Sequence, residues 1–308
     1  GIHGIEDLVQ IKNPPQGYFQ NCNVSPEVMM TGSPMTPEQY KPYIYNVDWD
    51  KNSPRGRRLV ELLDADPSIT KEEAIAYTLD NYDILTTPWQ NALKAATEGA
   101  GADRMKDPEL AKAVHDFLQW DGRFSKDSTV ASIVKFWRLK CQDAIDIVAV
   151  ADRLPLTTED QGKMLDLLKE TLEELKAKYG TTEMPWGDIT LIGRGGKYFP
   201  LESGDFGGGK MKKNETETVF DVATKETPKG SGKYVGYNGS GTLMISFLHK
   251  EGIESYSLVA WGQSADPDSP HYVDQAEKLY THRRMKPTWF KKEDLLKNLE
   301  SEKGFDIP

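Results

Sequence analysis

Cysteine is nearly absent from this chain: Cys22 and Cys141 are the only two among 308 residues. That is too few for a disulfide scaffold or a Cys-based zinc site. Spacing alone does not show whether the two thiols meet, so cysteine usage leaves the redox compartment open. Histidine is sparse as well. His3, His115, His249, His271 and His282 are scattered, and no pair has the His-Glu-x-x-His spacing of a catalytic zinc helix. No apolar run approaches the ~18 residues of a helical membrane span. Basic residues are the minority, 38 Lys and Arg against 48 Asp and Glu, for a net charge of −10. Nucleic acid is disfavoured as a main partner, because phosphate binding needs clustered cations, and so is anionic lipid. The short runs Lys291-Lys292 and Lys210-Met211-Lys212-Lys213 read as solvated faces. There is no initiator Met and no signal-peptide apolar region, so the chain is expected to begin after processing or to be a fragment.

What is present is a globular composition, 38% hydrophobic, 28% charged and 10% aromatic. The length suffices for one large or two ordinary domains with a real core. Residues 1–52 are rich in Pro, Asn, Gly and Tyr and read as loops and extended segments. A helical region follows, over about 53–180. Ser53-Pro54 opens its first helix, with Leu59, Leu62 and Leu63 on one face and Asp66-Pro67 as the stop. Thr70 and Glu73 have capping-box spacing for a second helix. Further helices are expected over 86–98, 107–119, 126–152 and 158–178, the last with a broad Met and Leu face ending at Gly180.

After Gly180 the pattern changes to alternating β-branched and aromatic residues with frequent glycine. Antiparallel strands are expected within about 186–262, at Asp188–Ile192, Thr218–Ala223, Thr242–Leu248 and Ser255–Ala260. Residues 203–214 and 228–241 read as Gly-rich connections. Helices are expected at 273–282 and Lys291–Leu299. Helices first and strands after them predict an α+β fold.

Several motifs fall short of their chemistry. Gly204-Asp205-Phe206-Gly207-Gly208-Gly209-Lys210-Met211 nearly spells a phosphate-binding loop, but Met211 cannot take the place of the Mg²⁺-binding hydroxyl. Gly193-Arg194-Gly195-Gly196-Lys197 is weaker still. Asp48-Trp49-Asp50-Lys51-Asn52 and Asp64-Ala65-Asp66 hint at calcium but lack the Gly and Glu of an EF-hand, and caps and turns explain them better. Gly230-Ser231-Gly232 and Gly239-Ser240-Gly241 lack the flanks of a serine-hydrolase elbow.

Two polar stretches remain. One is Asn13-Pro14-Pro15-Gln16-Gly17-Tyr18-Phe19-Gln20-Asn21-Cys22-Asn23. The other is Gly262-Gln263-Ser264 with Ser269-Pro270-His271-Tyr272-Val273-Asp274-Gln275. Read with Arg55-Gly56-Arg57-Arg58, Trp120-Asp121-Gly122-Arg123, Met184-Pro185-Trp186-Gly187 and Lys286-Pro287-Thr288-Trp289-Phe290, their order and spacing resemble the penicillin acylase family of N-terminal nucleophile hydrolases. Within it, acyl-homoserine lactone and aculeacin-type acylases look most similar.

The resemblance implies part of an αββα sandwich, with residues 1–308 as the C-terminal portion of the large (beta) subunit. It implies hydrolysis of an amide in an N-acyl-homoserine lactone, an acylated peptide or a β-lactam-like compound. In the family a self-processed precursor exposes an N-terminal Ser, whose own α-amine serves as base. Gly1 cannot fill that place, so the nucleophile is expected upstream of this chain. The alternative is a non-catalytic binding or scaffold protein that keeps the fold. Carried over by position, Asn23 is the oxyanion-hole side chain and Asn21 braces its turn. Arg55 orients the site, with Arg57 and Arg58 as competitors for that role. Gln263, His271, Asp274 and Gln275 form a supporting network. No cofactor is implied beyond a structural calcium whose ligands do not map. The expected partners are a small acylated amide substrate, the alpha subunit and the N-terminal part of the beta subunit. The implied setting is periplasmic or secreted.

Overall fold

In the computed structural model the described residues are 3–45, 52–99, 101–204, 218–302 and 304. Asp48–Lys51 of the calcium-like run and Asp205–Met211 of the phosphate-loop-like run lie outside them.

Local signals set most helix starts. Ser53 accepts a hydrogen bond from the Gly56 N–H and opens α1 (Pro54–Ala65), with proline in the first turn, where its missing N–H costs nothing. Thr70 and Glu73 form a reciprocal capping box on α2 (Lys71–Thr78). Asp107, Ser128 and Thr157 cap α4 (Pro108–Gln119), α5 (Thr129–Cys141) and α7 (Thr158–Tyr179). Gly180 ends α7 at φ 79°, a left-handed position that suits glycine.

The buried stripe of α7 (Met164, Leu165, Leu168, Leu172, Leu175) meets Trp89 and Leu93 of α3 (Thr86–Glu98), Phe117 of α4, and Trp137 and Cys141 of α5. Trp137 lies edge-on to Trp89 and Phe117, with ring centroids 5.3 and 5.5 Å apart. Each large side chain so buried contributes ~1.5–3 kcal/mol over leaving it exposed, and this is why the helical body holds together.

The second body contains two sheets. One has the order β2-β1-β4-β3, from β1 (Thr190–Arg194), β2 (Lys197–Pro200), β3 (Val222–Glu226) and β4 (Tyr234–Gly239). The other has the order β5-β6-β7, from β5 (Thr242–His249), β6 (Gly252–Val259) and β7 (Lys286–Thr288). Ser240-Gly241 alone carries the chain from β4 to β5, so it changes sheets within two residues. Ile192, Leu201, Phe220, Val222, Leu258 and Tyr280 bury the space beneath the strands, joined by Leu79 from the end of α2.

The expected α+β order of helices, then strands, is the observed one. The details differ in several places. The helix expected over 126–152 is broken after Cys141, and α6 (Ile147–Ala151) restarts on an Asp146 cap that accepts from the Ala149 N–H at 2.9 Å. The strand expected at 188–192 begins only at Thr190, because Pro185 opens one helical turn, α8 (Trp186–Ile189). The strand expected at 218–223 lies at 222–226, and the supposed connection over 228–241 contains β4. Not every pairing is antiparallel, since β1 and β4 run parallel with Thr190 opposite Tyr234. The helix expected over 273–282 is a short α9 (Asp274–Lys278) followed by a 3-10 turn, stopped at Arg283, whose φ is 48°. The glycine pair Gly195-Gly196, with φ 59° and 82°, is the two-residue turn of the β1–β2 hairpin, the conformation such turns need. Beyond β7, α10 (Lys292–Lys297) buries none of its residues.

Candidate active site

The Asn-rich segment is a built loop. Pro14 to Gly17 forms a turn closed by the Gly17 N–H on the Pro14 carbonyl at 2.9 Å. The Gln20 N–H donates to the Met29 carbonyl at 3.0 Å, and Val24 and Ser25 are buried. The Tyr45 hydroxyl ties the far side, accepting from the Glu27 N–H at 3.1 Å and donating to the Met35 carbonyl at 2.9 Å.

α1 is fastened to this loop at its first turn. Ser53 donates from Oγ to the Cys22 carbonyl at 3.3 Å while capping the helix. At Gly56 an added Cβ would lie 2.9 Å from Val24 Cγ1, so only glycine allows the helix so close. That contact places Arg55 over Asn23. The Arg55 Nη2 donates to Asn23 Oδ1 at 3.0 Å, and its Nε lies 3.8 Å from Asp221 Oδ2, just before β3. Asn23 sits at φ 59°, and its N–H donates to Asn21 Oδ1 at 2.8 Å. A short asparagine side chain tolerates this left-handed backbone, and the turn bond from Asn21 supports it.

One chemical consequence follows. A guanidinium has donors only, so it can face only the oxygen end of the Asn23 amide. The orientation of that amide is therefore fixed, with its NH₂ turned away from Arg55 and available to donate to an incoming oxygen.

The competing arginines are placed elsewhere. Arg58 pairs with Asp80 at 2.7 Å and Glu61 at 3.0 Å and lies over the Tyr82 ring. Arg57 lines a groove with Glu27, Met30 and Thr31. Asp221 is a member of the site that sequence reasoning missed. It is distant in sequence from Arg55 and belongs to no motif, so only the fold reveals it.

Gln263, His271 and Asp274 gather in a second neighbourhood around the loop after β6. Gln275 is buried, accepts from the Val259 N–H at 3.1 Å and donates to Gln263 Oε1 at 3.4 Å. His271 is held at both nitrogens, by Asp274 at 2.9 Å and by Glu300 at 2.9 Å. These two carboxylates, Asp274 first, raise its pKa above the ordinary histidine value. A Cβ on Gly262 would fall 2.1 Å from the His271 carbonyl oxygen, so the loop closes only over glycine. Arg194 clamps the same loop from β1, donating to the Ser264 and Tyr272 carbonyls with its guanidinium 4.2 Å from the Tyr272 ring centroid.

The remaining candidates are engaged in structure. Asp64 accepts from the Tyr18 and Thr31 hydroxyls, and Asp66 from the Ser68 N–H and the Tyr77 hydroxyl. Among the described residues no three His, Cys, Asp or Glu side chains converge as metal ligands. Cys22 and Cys141 are not joined in a disulfide, and burial pushes the Cys141 thiol far up, away from nucleophilic use. Among the described residues no helix is long and apolar enough to cross a membrane.

Comparison with known proteins places the chain in a family. The acyl-homoserine lactone acylase PvdQ of Pseudomonas fluorescens (strain Pf0-1) is 26% identical over 172 residues, which cover 51% of this chain and 21% of that protein. A thermostable penicillin G acylase from Alcaligenes faecalis superposes with a TM-score of 0.53 at 17% identity, over 100% of this chain and 60% of that one. The chain thus spans about a fifth of the first and three-fifths of the second. The penicillin amidase family profile matches residues 1–297, and the chain belongs to that family of acylases, whose chemistry is amide hydrolysis.

Proposed function

We propose that this chain supplies the oxyanion-stabilising part of an acylase that cleaves a linear amide. The nucleophile is an N-terminal Ser on acylase polypeptide that this chain does not contain. Its hydroxyl attacks the amide carbonyl while its α-amine takes the proton, and the carbonyl oxygen becomes an oxyanion. Asn23 donates to that oxygen through its NH₂ group, and the amine leaves once it is protonated. Water then releases the acyl group by the same route in reverse. A neutral amide suits the task because it donates at any working pH, and preorganised donors lower the barrier without reorganising.

The observation that carries this reading is the Arg55 bond to Asn23 Oδ1 at 3.0 Å, which leaves the NH₂ as the outward end. Arg55 acts as a positioning residue, with Asp221 behind it and Asn21 bracing the turn. Gln263, His271 and Asp274 support the fold around β6 and take no part in proton transfer. N-acyl-homoserine lactones are the first substrates to try, given the likeness to an acyl-homoserine lactone acylase, with acylated peptides and β-lactam-like amides next. The setting proposed is the periplasm or the exterior.

The test is Asn23→Asp in the complete acylase. Aspartate keeps the shape and the Arg55 contact but cannot donate when ionised. Turnover is expected to fall by ~10²–10³ with melting little changed. Turnover equal to the parent would remove Asn23 from the chemistry.

A further inference from the structure

We infer that the groove between α3 and the α6–α7 connection binds an unbranched fatty acid, with Arg153 taking the carboxylate. The groove has a volume of about 260 Å³. Pro88, Ala92 and Ala95 of α3 make one wall, and Val150, Leu154 and Leu156 make the other. Helical spacing explains the first wall. Residues 88, 92 and 95 share one face of α3, while Trp89, Leu93 and Ala96 turn to the helical core. The second wall is held from α7, where the Gln161 amide donates to the Leu156 carbonyl at 3.3 Å. Leu154 stands at the rim, 59% exposed.

Arg153 sits where α6 closes. The Leu154 N–H donates to the Ala149 carbonyl at 2.8 Å and the Arg153 N–H to the Val150 carbonyl at 3.1 Å, the two bonds of a Schellman ending. The turning residue of such an ending is usually glycine, as Gly180 is on α7, because the left-handed backbone crowds a Cβ. Here it is an arginine at φ 59°. Strain of this kind is found at ligand sites, held there by the surrounding structure. Arg153 lines the groove and forms no ion pair with a described residue, whereas Arg58, Arg104, Arg138 and Arg283 are each tied to a carboxylate.

The occupant follows from these parts. A guanidinium fork matches the two oxygens of a carboxylate, and one fork suits one monoanion. None of the described lining residues is aromatic, so a saturated chain fits the walls better than a ring. A cavity of ~150 Å³ holds benzene, so this groove takes roughly ten carbon atoms. The net charge of −10 does not exclude an anion here, because charges beyond ~8 Å are screened at physiological salt and Arg153 meets the carboxylate directly. Asn23, Arg55 and Asp221 line no part of the groove, so fatty-acid binding stands or falls apart from amide hydrolysis.

The experiment is photolabelling of the complete acylase with decanoic acid that carries a diazirine at its tail, read by peptide mass spectrometry. The label should saturate and should fall within residues 88–95 and 150–156. Arg153→Gln should weaken labelling about tenfold or more, the loss expected for a hydrogen bond to a charged group. The matching diazirine alcohol should label more weakly by a similar factor. Arg153→Gly should lose the label as Arg153→Gln does, yet melt no lower than the parent, because glycine accepts φ 59° without strain. Label that does not saturate, or that falls only on other peptides, overturns the proposal. So does equal labelling by acid and alcohol. Full labelling of either Arg153 variant would remove Arg153 as the carboxylate's partner and overturn it as well.

Discussion

The Asn23 side chain is aimed by two contacts of different kinds, and they separate under mutation. Asn21 supports the backbone, by a bond worth ~0.5–1.5 kcal/mol net. Asn21→Ala should therefore lower the competent population, and with it turnover, by at most about tenfold, well short of the loss for Asn23→Asp. A larger loss would move the donor role to Asn21. Arg55 orients the amide itself and faces Asn23 and Asp221 from one planar fork. Lysine is a single point charge and cannot hold both. For Arg55→Lys, steady-state kinetics of the complete acylase should show kcat falling with KM nearly constant, because an oxyanion donor acts in the transition state. A rise in KM alone would assign Arg55 to substrate binding. The grouping of Asn21, Asn23 and Arg55 was legible in the sequence through the resemblance of their short motifs to the acylase family. Asp221 was not, since it meets Arg55 only when β3 is laid beside the first turn of α1. Glu300 was equally hidden, an exposed acid on the terminal segment until the fold brings it to His271.

Elements were legible where side chain and backbone speak to each other over a few residues. Caps and periodic faces placed α1, α3, α4 and α7 nearly to the residue, and the capping box placed the start of α2. The break before α6 was hidden because apolar residues keep helical spacing through it, at Cys141, Ala144, Ile145 and Val148, and β4 because Gly236 and Gly239 mark loops as readily as strands. At Gly236 an added Cβ would lie 2.8 Å from Ile192 Cδ1, a reason for glycine that no local pattern carries. Two charge-held connections between elements give predictions. Glu226, at the end of β3, accepts from Lys178 at 2.8 Å and from the Gly232 N–H at 2.8 Å, and these bonds lower its pKa to about 2. Its stabilising effect is present above the ordinary carboxylate value of 4.5 and is lost as the pH falls through about 2. Glu226→Gln should speed hydrogen exchange in residues 226–234 at neutral pH, and the difference should shrink in strong acid. His271 has the opposite sign. Only the imidazolium donates from both nitrogens, to Asp274 and to Glu300, so its contribution is whole below 6.5 and is lost as the pH rises through the raised folded value. Proteolysis within residues 291–302 should quicken above that value. In His271→Ala it should be fast at every pH, and a parent chain without pH dependence would remove the clamp.

At the scale of the whole molecule, the helical body and the sheets meet through buried polar side chains as well as apolar ones. Asp80 receives Arg58 of α1 and Arg123 of the Trp-Asp-Gly segment at 2.7 and 2.9 Å, and the Phe220 N–H donates to its carbonyl at 2.9 Å. One stretch of chain thereby ties α1, the helical core and the entry to β3, the three parts that hold Arg55 and Asp221. Next to it, Asp83 and Arg138 form an ion pair with side chains only 0% and 4% exposed. Asp83 also accepts from the Leu85 N–H at 3.0 Å, and Arg138 lies 5.0 Å from the Trp89 ring centroid, inside the main core. Such a pair costs much to desolvate, so keeping it adds little net stability, but removing one partner strands a buried charge. Asp83→Ala should destabilise the fold by ~3–5 kcal/mol, read as a lower denaturation midpoint. Replacing both, as Asp83→Leu with Arg138→Met, should recover part of that loss, short of all of it, because the Leu85 N–H stays unanswered. Turnover per folded molecule should be unchanged in either variant, since Asn23 and Arg55 are held by Ser53, Asn21 and Asp221. If Asp83→Ala melts like the parent, the pair does not join the helical core to its surroundings. If turnover per folded molecule falls with it, the Asn23 loop depends on the helical core through a route other than the first turn of α1.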